Sequence, residues 1–225
     1  MNQNLFFTPT DILLPAHADM RRWSVIACDQ FTADAGYWQA VQDTVGDAPS
    51  TLRLMLPEFY LGKCDEAAAT REIQQTMRRY LDDGVFRTVP HSLVLVQRTL
   101  PGGTVRCGIV GALDLEAYDY APDSVTPIRA TEGTVASRLP ARVRIRAAAA
   151  LEMPHIMVFY SDPEDTIRRE AQAAAGETLY DFDLMSGGGH VRGLRIAGAK
   201  ADALAARLCA TGVGTDGAYP MRFAI

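Results

Sequence analysis

The fold is decided by the stretch LVLVQRTLPGGTVRCGIVGAL, residues 93–113. Two runs rich in β-branched and apolar residues, 93–97 and 105–113, flank the turn signal Pro101-Gly102-Gly103. Apolar runs of this length on either side of a glycine-containing turn predict two strands of a β-hairpin.

Helical periodicity appears on both sides of this hairpin. Residues 36–45 and 65–83 carry apolar side chains three and four positions apart, and Gly84 follows the second stretch as a stop. A third helix is predicted from Pro163 to about Ala175, with Asp162 as its cap, and a fourth over 199–210.

Further strands are predicted at 156–160, 179–184 and 191–196, the last two around the loop Gly187-Gly188-Gly189. The order of elements predicts an α+β fold: a mixed, largely antiparallel sheet with flanking helices, forming a single region over residues 1–225. The apolar run 219–225 resembles a strand at the very end of the sequence, so we expect an incomplete domain at the C-terminus.

The composition is that of a globular protein that can bury a core: 225 residues, 48% hydrophobic and 22% charged. The net charge of −5 disfavours nucleic acid as a partner, because that needs a broad basic surface. No apolar stretch reaches the ~20 residues of a membrane helix. Four dispersed cysteines without metal-ligand spacing indicate reduced thiols, and we expect a cytoplasmic location. The oligomeric state is left open.

Five arginines crowd the segment 124–155 of this acidic chain: Arg129, Arg138, Arg142, Arg144 and Arg146. If the chain is extended, the last three share a face; if it is helical, Arg138, Arg142 and Arg146 do. Solvated neighbours of like charge cost ~0.2–0.5 kcal/mol each, and a bound phosphate reverses that sign. The pattern therefore predicts a small anionic ligand, and phosphate is the anion that best matches the guanidinium fork. The alternative is pairing with Glu132, Glu152 and the acidic residues near 114–123.

The same segment holds Thr131-Glu132-Gly133-Thr134. The hydroxyls of Thr131 and Thr134 are candidate phosphate contacts, and Glu132 is a candidate base or magnesium ligand. A threonine followed by a glutamate is also common at the start of a helix.

The second candidate site is Asp181-Phe182-Asp183 followed by Gly187-Gly188-Gly189-His190. Alternation along a strand places Asp181 and Asp183 on one face, where two carboxylates can share a metal ion. The glycines let backbone N–H groups approach a ligand, and His190 is a candidate acid, base or phosphate contact. The alternatives are a flexible turn and a structural histidine.

Residues 23–30, WSVIACDQ, resemble a strand that ends in two polar residues. Asp29 and Gln30 at the end of a buried strand suit a ligand, or they cap the next turn.

These motifs together are similar to those of the domain-of-unknown-function 1015 family, and the resemblance runs from about Thr10 to Ile225. The segments that carry it are WSVIACDQF (23–31), DAPSTLRLMLPE (47–58), IRATEGTV (128–135), SRLPARVRIR (137–146), LEMPHIMVFYSD (151–162) and YDFDLMSGGGH (180–190). The family in turn is distantly similar to the ParB and sulfiredoxin superfamily, which includes free-serine kinases.

The resemblance implies that the chain corresponds to the N-terminal half of a longer family member. Relatives carry a Gly-Asp-Gly-Asn-His-Ser or Asp-Gly-His-His-Arg element just beyond the point that corresponds to 223–225, and this chain lacks it. The implied function is phosphate or nucleotide binding within a small-molecule, serine-type kinase, with Mg²⁺ and a nucleotide as cofactors. Two alternatives stay open: a non-catalytic nucleotide- or nucleic-acid-binding module, and an inactive truncated fragment.

Overall fold

The computed structural model describes residues 5–121, 123–124, 126–130, 133, 135–153, 155–160 and 162–210, together with the backbone of 222–224. The helices in this part of the chain are α1 (Met20–Trp23), α2 (Ala35–Val45), α3 (Glu66–Asp82), α4 (Leu139–Arg146), α5 (Thr166–Ala174) and α6 (Ala199–Ala210). The strands are β1 (Phe7–Thr8), β2 (Thr10–Pro15), β3 (Phe86–Thr99), β4 (Val105–Val110), β5 (Ala112–Leu113), β6 (Tyr118–Asp119), β7 (Ile128–Ala130), β8 (Met157–Phe159), β9 (Thr178–Asp183), β10 (His190–Ala197) and β11 (Arg222–Ala224). The fold is α+β, as the sequence predicts.

The long strand β3 organises the main sheet. Its first half pairs antiparallel with β2, and its second half pairs with both β4 and β10, while β9 adds to the far side of β10. The predicted hairpin is confirmed as β3 and β4, but the run 105–113 is broken at Gly111. A Cβ at Gly111 would lie 2.6 Å from the Phe7 ring, so glycine is what allows β1 to pack there and pair with β5.

A smaller sheet has the order β6–β7–β11–β8. Its β6–β7 and β7–β11 pairs are parallel and its β11–β8 pair is antiparallel. The strand predicted near the end of the sequence is therefore present in the backbone of 222–224. The sheets overall are mixed and mostly antiparallel.

Three apolar clusters form the core. The largest joins β3 and β10 to α5 and α6 through Leu93, Leu95, Ile167 and Ile196, which are all less than 2% exposed. The second lies under one face of α3, whose buried positions follow the helical period, and contains Trp23. The third, called here the Cys28 cluster, surrounds Cys28 and the buried residues of α2 with Met55.

Two predictions of local structure need correction. Residues 23–30 are not a strand: Trp23 ends α1, and an irregular segment follows, held by bonds such as that from the Val25 N–H to the Thr51 hydroxyl. α5 begins at Thr166 rather than at Pro163. Asp162 still acts as its cap, because its carboxylate accepts from the N–H groups of Thr166 and Ile167 at 2.9 and 2.8 Å.

All four cysteines lie within the described residues and are free: Cys28 and Cys209 are buried, and Cys64 and Cys107 are exposed. Among the described residues, none of the helices combines the length and the apolar character needed to cross a bilayer.

Candidate functional site

The arginine segment is helical, which decides between the two arrangements that the sequence allows. A 3-10 turn over residues 136–138 leads into α4, and Pro140 lies in the first turn of that helix. Proline is tolerated there because the N–H groups of the first turn have no helical partner. Arg138, Arg142 and Arg146 therefore follow one another along one side of the segment.

Each of these arginines faces a carboxylate. Arg138 Nε lies 3.3 Å from Glu58, and Arg142 Nη2 lies 2.8 Å from Glu58 and 3.6 Å from Asp29. Arg144 pairs with Glu66 at 2.5 Å, and Arg146 pairs with Glu152 at 2.7 Å. The pairing with Glu152 is one that the sequence predicts, whereas Glu58, Glu66 and Asp29 come from distant segments. Whether these arginines bind phosphate stays a prediction.

Glu58 is the centre of this cluster. Its side chain is only 9% exposed and lies between the guanidinium groups of Arg138 and Arg142. The Glu58 N–H donates to the carbonyl of Cys28 at 2.8 Å, which ties the turn 58–60 to the segment that carries Asp29. Cys28 is buried, and burial raises the pKa of its thiol despite the opposing effect of Arg142.

Helix α4 is held in place by α3. The Gln74 side-chain amide donates to the carbonyls of Arg144 and Ile145 at 2.9 and 3.1 Å, near the C-terminal end of α4. These carbonyls have no partner within a helix that ends here, so the amide satisfies them. These hydrogen bonds hold α4 and its arginines against α3.

Other predicted residues of this segment lie apart or outside the description. Arg129 is on β7, partly buried, with Nη1 3.4 Å from the Ser124 carbonyl. Gly133 is described, but Thr131, Glu132 and Thr134 lie outside the described residues.

The glycine loop borders a groove of about 440 Å³. Residues from three parts of the chain line it: Arg21, Thr99, Leu100, Asp183, Leu184, Met185, Ser186, Gly187, Gly189 and His190. Arg21, at the second position of α1, is exposed, and its guanidinium has no ion pair with a described carboxylate. Arg21, which has no carboxylate partner among the described residues, and the glycine loop therefore line the same groove.

The backbone of this loop changes hand at Gly189. Gly188 (φ −67°, ψ 2°) precedes Gly189, whose φ is 91°. Such a change of hand can turn consecutive N–H groups toward the same side, but the Gly188 N–H already donates to the Met185 carbonyl at 3.1 Å and is not available to an anion. Only glycine fits at position 189, because a Cβ there would lie 2.1 Å from the carbonyl oxygen of Thr99.

His190 lies between the two predicted aspartates. Asp183 is its cross-strand partner, with Oδ1 2.8 Å from Nδ1, and Asp181 Oδ1 lies 2.6 Å from Nε2. Hydrogen bonds to Asp183 first and to Asp181 second raise the pKa of His190 above its ordinary value. Both ring nitrogens can donate to a carboxylate only in the protonated ring, so the geometry favours an imidazolium at the mouth of the groove.

The predicted sharing of a face by Asp181 and Asp183 is confirmed, but the imidazole occupies the space between them. Asp181 also lies 3.4 Å from Arg192 Nε. Across the described residues, no three histidine, cysteine or acidic side chains come together as a metal cage. Mg²⁺ needs fewer protein ligands than such a cage provides, since one or two carboxylates together with phosphate oxygens suffice.

The two regions adjoin the same apolar cluster. Met185, in the glycine loop, packs against the Cys28 cluster, and the 3-10 turn 185–187 contacts α2. Cys28 in turn precedes Asp29, the partner of Arg142. The fold therefore brings the glycine loop and the irregular segment 24–30 to one side of the molecule.

Three residues at these places were not predicted as site residues. Glu58 and Ser186 lie within the motifs DAPSTLRLMLPE and YDFDLMSGGGH, so their position in a motif was a usable signal. Nothing in the sequence around Arg21 marks it, because only the tertiary fold brings α1 to the end of β9 and β10.

The fold and the groove define an α+β protein in which an exposed arginine and a glycine-rich turn line one groove. The model of the family described as Protein of unknown function (DUF1015) matches residues 9–211, and the chain belongs to that family. No curated protein and no solved structure matches the chain.

Proposed function

We propose that this protein binds a small phosphorylated ligand in the groove beside residues 183–190 and takes part in phosphoryl transfer of the small-molecule kinase type. The observation that carries the proposal is Arg21, an exposed guanidinium that has no carboxylate partner in the described part of the chain and lines the same groove as the glycine turn. A phosphate in contact with both would accept from the planar guanidinium fork and from backbone N–H groups together.

His190 has a different part in this proposal. Its raised pKa keeps the ring cationic over a wider pH range, but Asp183 and Asp181 lie against both ring nitrogens, so these three side chains together do not attract an anion. The two carboxylates hold the ring in one orientation, and Arg21 is the cation assigned to the ligand. The α4 arginines, each paired with a carboxylate, are assigned in this proposal mainly to fixing α4.

The groove also has groups for the chemistry of transfer. In the proposed reaction the terminal P–O bond of a nucleotide breaks while a hydroxyl oxygen of a small acceptor, serine in the simplest case, bonds to that phosphorus. The hydroxyl proton passes to a carboxylate, for which Asp183 is the candidate in the groove. Arg21 would spread the charge of the moving phosphoryl group.

Magnesium and a nucleotide fit this arrangement as cofactors. Asp183 is also a carboxylate of the kind that Mg²⁺ uses together with phosphate oxygens, where the ion would neutralise phosphate charge. A carboxylate bound to Mg²⁺ is a weak base, so Asp183 takes either this role or that of the proton acceptor.

Calorimetric titration with pyrophosphate, with and without Mg²⁺, tests the binding step. We expect a Kd below about 1 mM for the unaltered protein and about tenfold weaker binding for Arg21→Ala, because a charge-assisted contact is lost. The matched control is Arg144→Ala, which removes an exposed arginine already paired with Glu66 and leaves pyrophosphate binding unchanged. Absence of binding, or equal binding by the Arg21→Ala protein, contradicts the proposal.

A binding module without catalysis is the second candidate, and one observation favours it. Both nitrogens of His190 face carboxylates, which leaves the ring no lone pair to act as a base. Phosphorus NMR of the protein with MgATP and serine separates the two candidates. A new phosphomonoester signal that Asp183→Asn abolishes supports transfer, and binding without any turnover supports the module.

A further inference from the structure

We propose that Phe31 and Tyr37 form a stacking platform for a nucleobase, so that the phosphorylated ligand of the groove is a nucleotide. This inference rests on the proposed function for the phosphate site and assigns a second site to the same ligand. We call the two stacked rings the Phe31–Tyr37 platform.

In the platform, Phe31 stacks on Tyr37 through one of its two ring faces. The ring centroids of Phe31 and Tyr37 are 3.9 Å apart and the ring planes differ by 11°. Tyr37 covers one side of Phe31, yet Phe31 remains 48% exposed, so much of its other side faces solvent. An open aromatic face of this kind accepts any nucleobase, because every base has a π-face.

The backbone of Phe31 is strained in a way that keeps the ring exposed. Its φ is 51°, a left-handed value that is unusual for a bulky residue. The Phe31 carbonyl is held by the Trp38 indole N–H at 3.0 Å and by the Asp34 N–H at 3.2 Å, so the surrounding structure enforces the conformation. Strain of this type costs about 1–3 kcal/mol and persists mainly at functional sites.

Polar groups beside the platform suit the edge of a base. Asp29 and Gln30 immediately precede Phe31, and Gln30 is exposed with its amide 3.3 Å from Asp29. An amide offers both a donor and an acceptor, and a carboxylate offers acceptors. Asp29 and Gln30 already contact each other, and Asp29 also faces Arg142, so the atoms offered to a base are their remaining donor and acceptor positions.

The platform and the phosphate groove are neighbours through α2. Tyr37 lies in the first turn of α2, whose contacts include the turn 185–187 of the glycine loop. Tyr37 and Met185 pack against the same Cys28 cluster. Neither Phe31 nor Tyr37 lines the groove itself, so a nucleotide with its phosphates in the groove would reach the platform across the turn 185–187 and α2.

The test compares MgATP with magnesium tripolyphosphate, which has the same phosphates and no base. Calorimetry gives both affinities, and Trp38 fluorescence reports base stacking independently because its ring lies 5.3 Å from that of Tyr37. We expect ATP to bind at least about tenfold more tightly than tripolyphosphate, from stacking on one ring.

The informative variant is Phe31→Gly, because glycine adopts the φ of 51° without strain and the turn is expected to keep its shape. We expect it to bind ATP and tripolyphosphate equally, with the tripolyphosphate affinity of the unaltered protein retained. Phe31→Tyr keeps the ring and the preference for ATP. Tyr120→Leu, which removes a 78% exposed aromatic near β6, is the matched control and keeps it too.

Each outcome decides a specific point. Equal affinities of the unaltered protein for both ligands, or a preference for ATP that survives in Phe31→Gly, overturns the platform while the phosphate site stands. Binding of neither ligand removes the proposed function as well. A change in oligomeric state on Phe31→Gly with no change in ATP binding assigns the exposed ring to a protein contact instead.

Discussion

Arg142 donates to Glu58 at 2.8 Å across 84 positions of the chain, and the Glu58 side chain is almost entirely buried. A carboxylate in that position is stable only with cations beside it, since burying an unpaired charge is costly. The pair therefore joins α4 to the turn 58–60. Two of the arginines that crowd the segment before Ala147, Arg138 and Arg142, lie there beside this buried carboxylate.

The first prediction concerns this pair. Glu58→Gln leaves Arg138 and Arg142 without their shared carboxylate, and we expect a loss of about 2 kcal/mol in the free energy of unfolding, reduced from the value for a fully buried pair because Arg142 is 36% exposed. Urea unfolding measures it. Glu152→Gln, which removes the 70% exposed partner of Arg146, is the control and should cost under about 1 kcal/mol. Equal losses in the two variants contradict the central role of Glu58.

The second prediction concerns the pH dependence that His190 confers. Because its pKa in the folded state is raised, the stabilisation is fully present below the ordinary pKa of about 6.5 and is lost as the pH rises through the higher folded value. The stability difference between the unaltered protein and His190→Gln should therefore shrink as the pH rises over that window.

NMR titration of the imidazole measures the pKa directly. Asp183→Asn should lower the midpoint, since the Asp183 hydrogen bond is the largest cause of the shift. Asp202→Asn removes a carboxylate that faces a different histidine, His91, and should leave the His190 midpoint unchanged. A His190 midpoint at or below the ordinary value in the unaltered protein is incompatible with the geometry described.

The third prediction separates two glycines of one loop. Gly189→Ala combines a left-handed φ of 91° with a contact of 2.1 Å to the Thr99 carbonyl, so we expect a loss above about 2 kcal/mol. Gly187→Ala has a φ of 69° and open space around the new methyl group, so about 1 kcal/mol is expected. Chemical denaturation of both proteins provides the comparison, and a larger loss for Gly187→Ala would show that the loop packs differently.

The fourth prediction concerns the start of α5. Asp162→Ala removes a carboxylate that accepts from two N–H groups of the first turn, and the expected cost is about 1 kcal/mol by thermal or urea unfolding. Glu164→Ala is the control, because its side chain makes no such bond to the helix among the described residues. If both substitutions cost the same, Asp162 does not serve as the cap.

Much of the secondary structure was predictable because it depends on local chemistry. The helices over 65–83 and 199–210 follow from apolar spacing and end signals, and the β3–β4 hairpin follows from Pro101-Gly102-Gly103. The prediction at 23–30 was wrong because WSVIACDQ has the composition of a strand, but in the described part of the chain its backbone pairs with Thr51 and Glu58 rather than with a strand.

For the candidate site, the sequence by itself determined that arginines crowd one segment, that a glycine loop follows two aspartates, and that His190 ends that loop, since all three depend only on positions close together in the chain. The tertiary structure alone decided that Glu58 and Asp29 neutralise α4, that Arg21 and the glycine loop line one groove, and that Phe31 is held open on Tyr37. The physical reason is that electrostatic pairing and stacking depend on distances in space, and those distances are set by how the helices and sheets pack rather than by their separation along the chain.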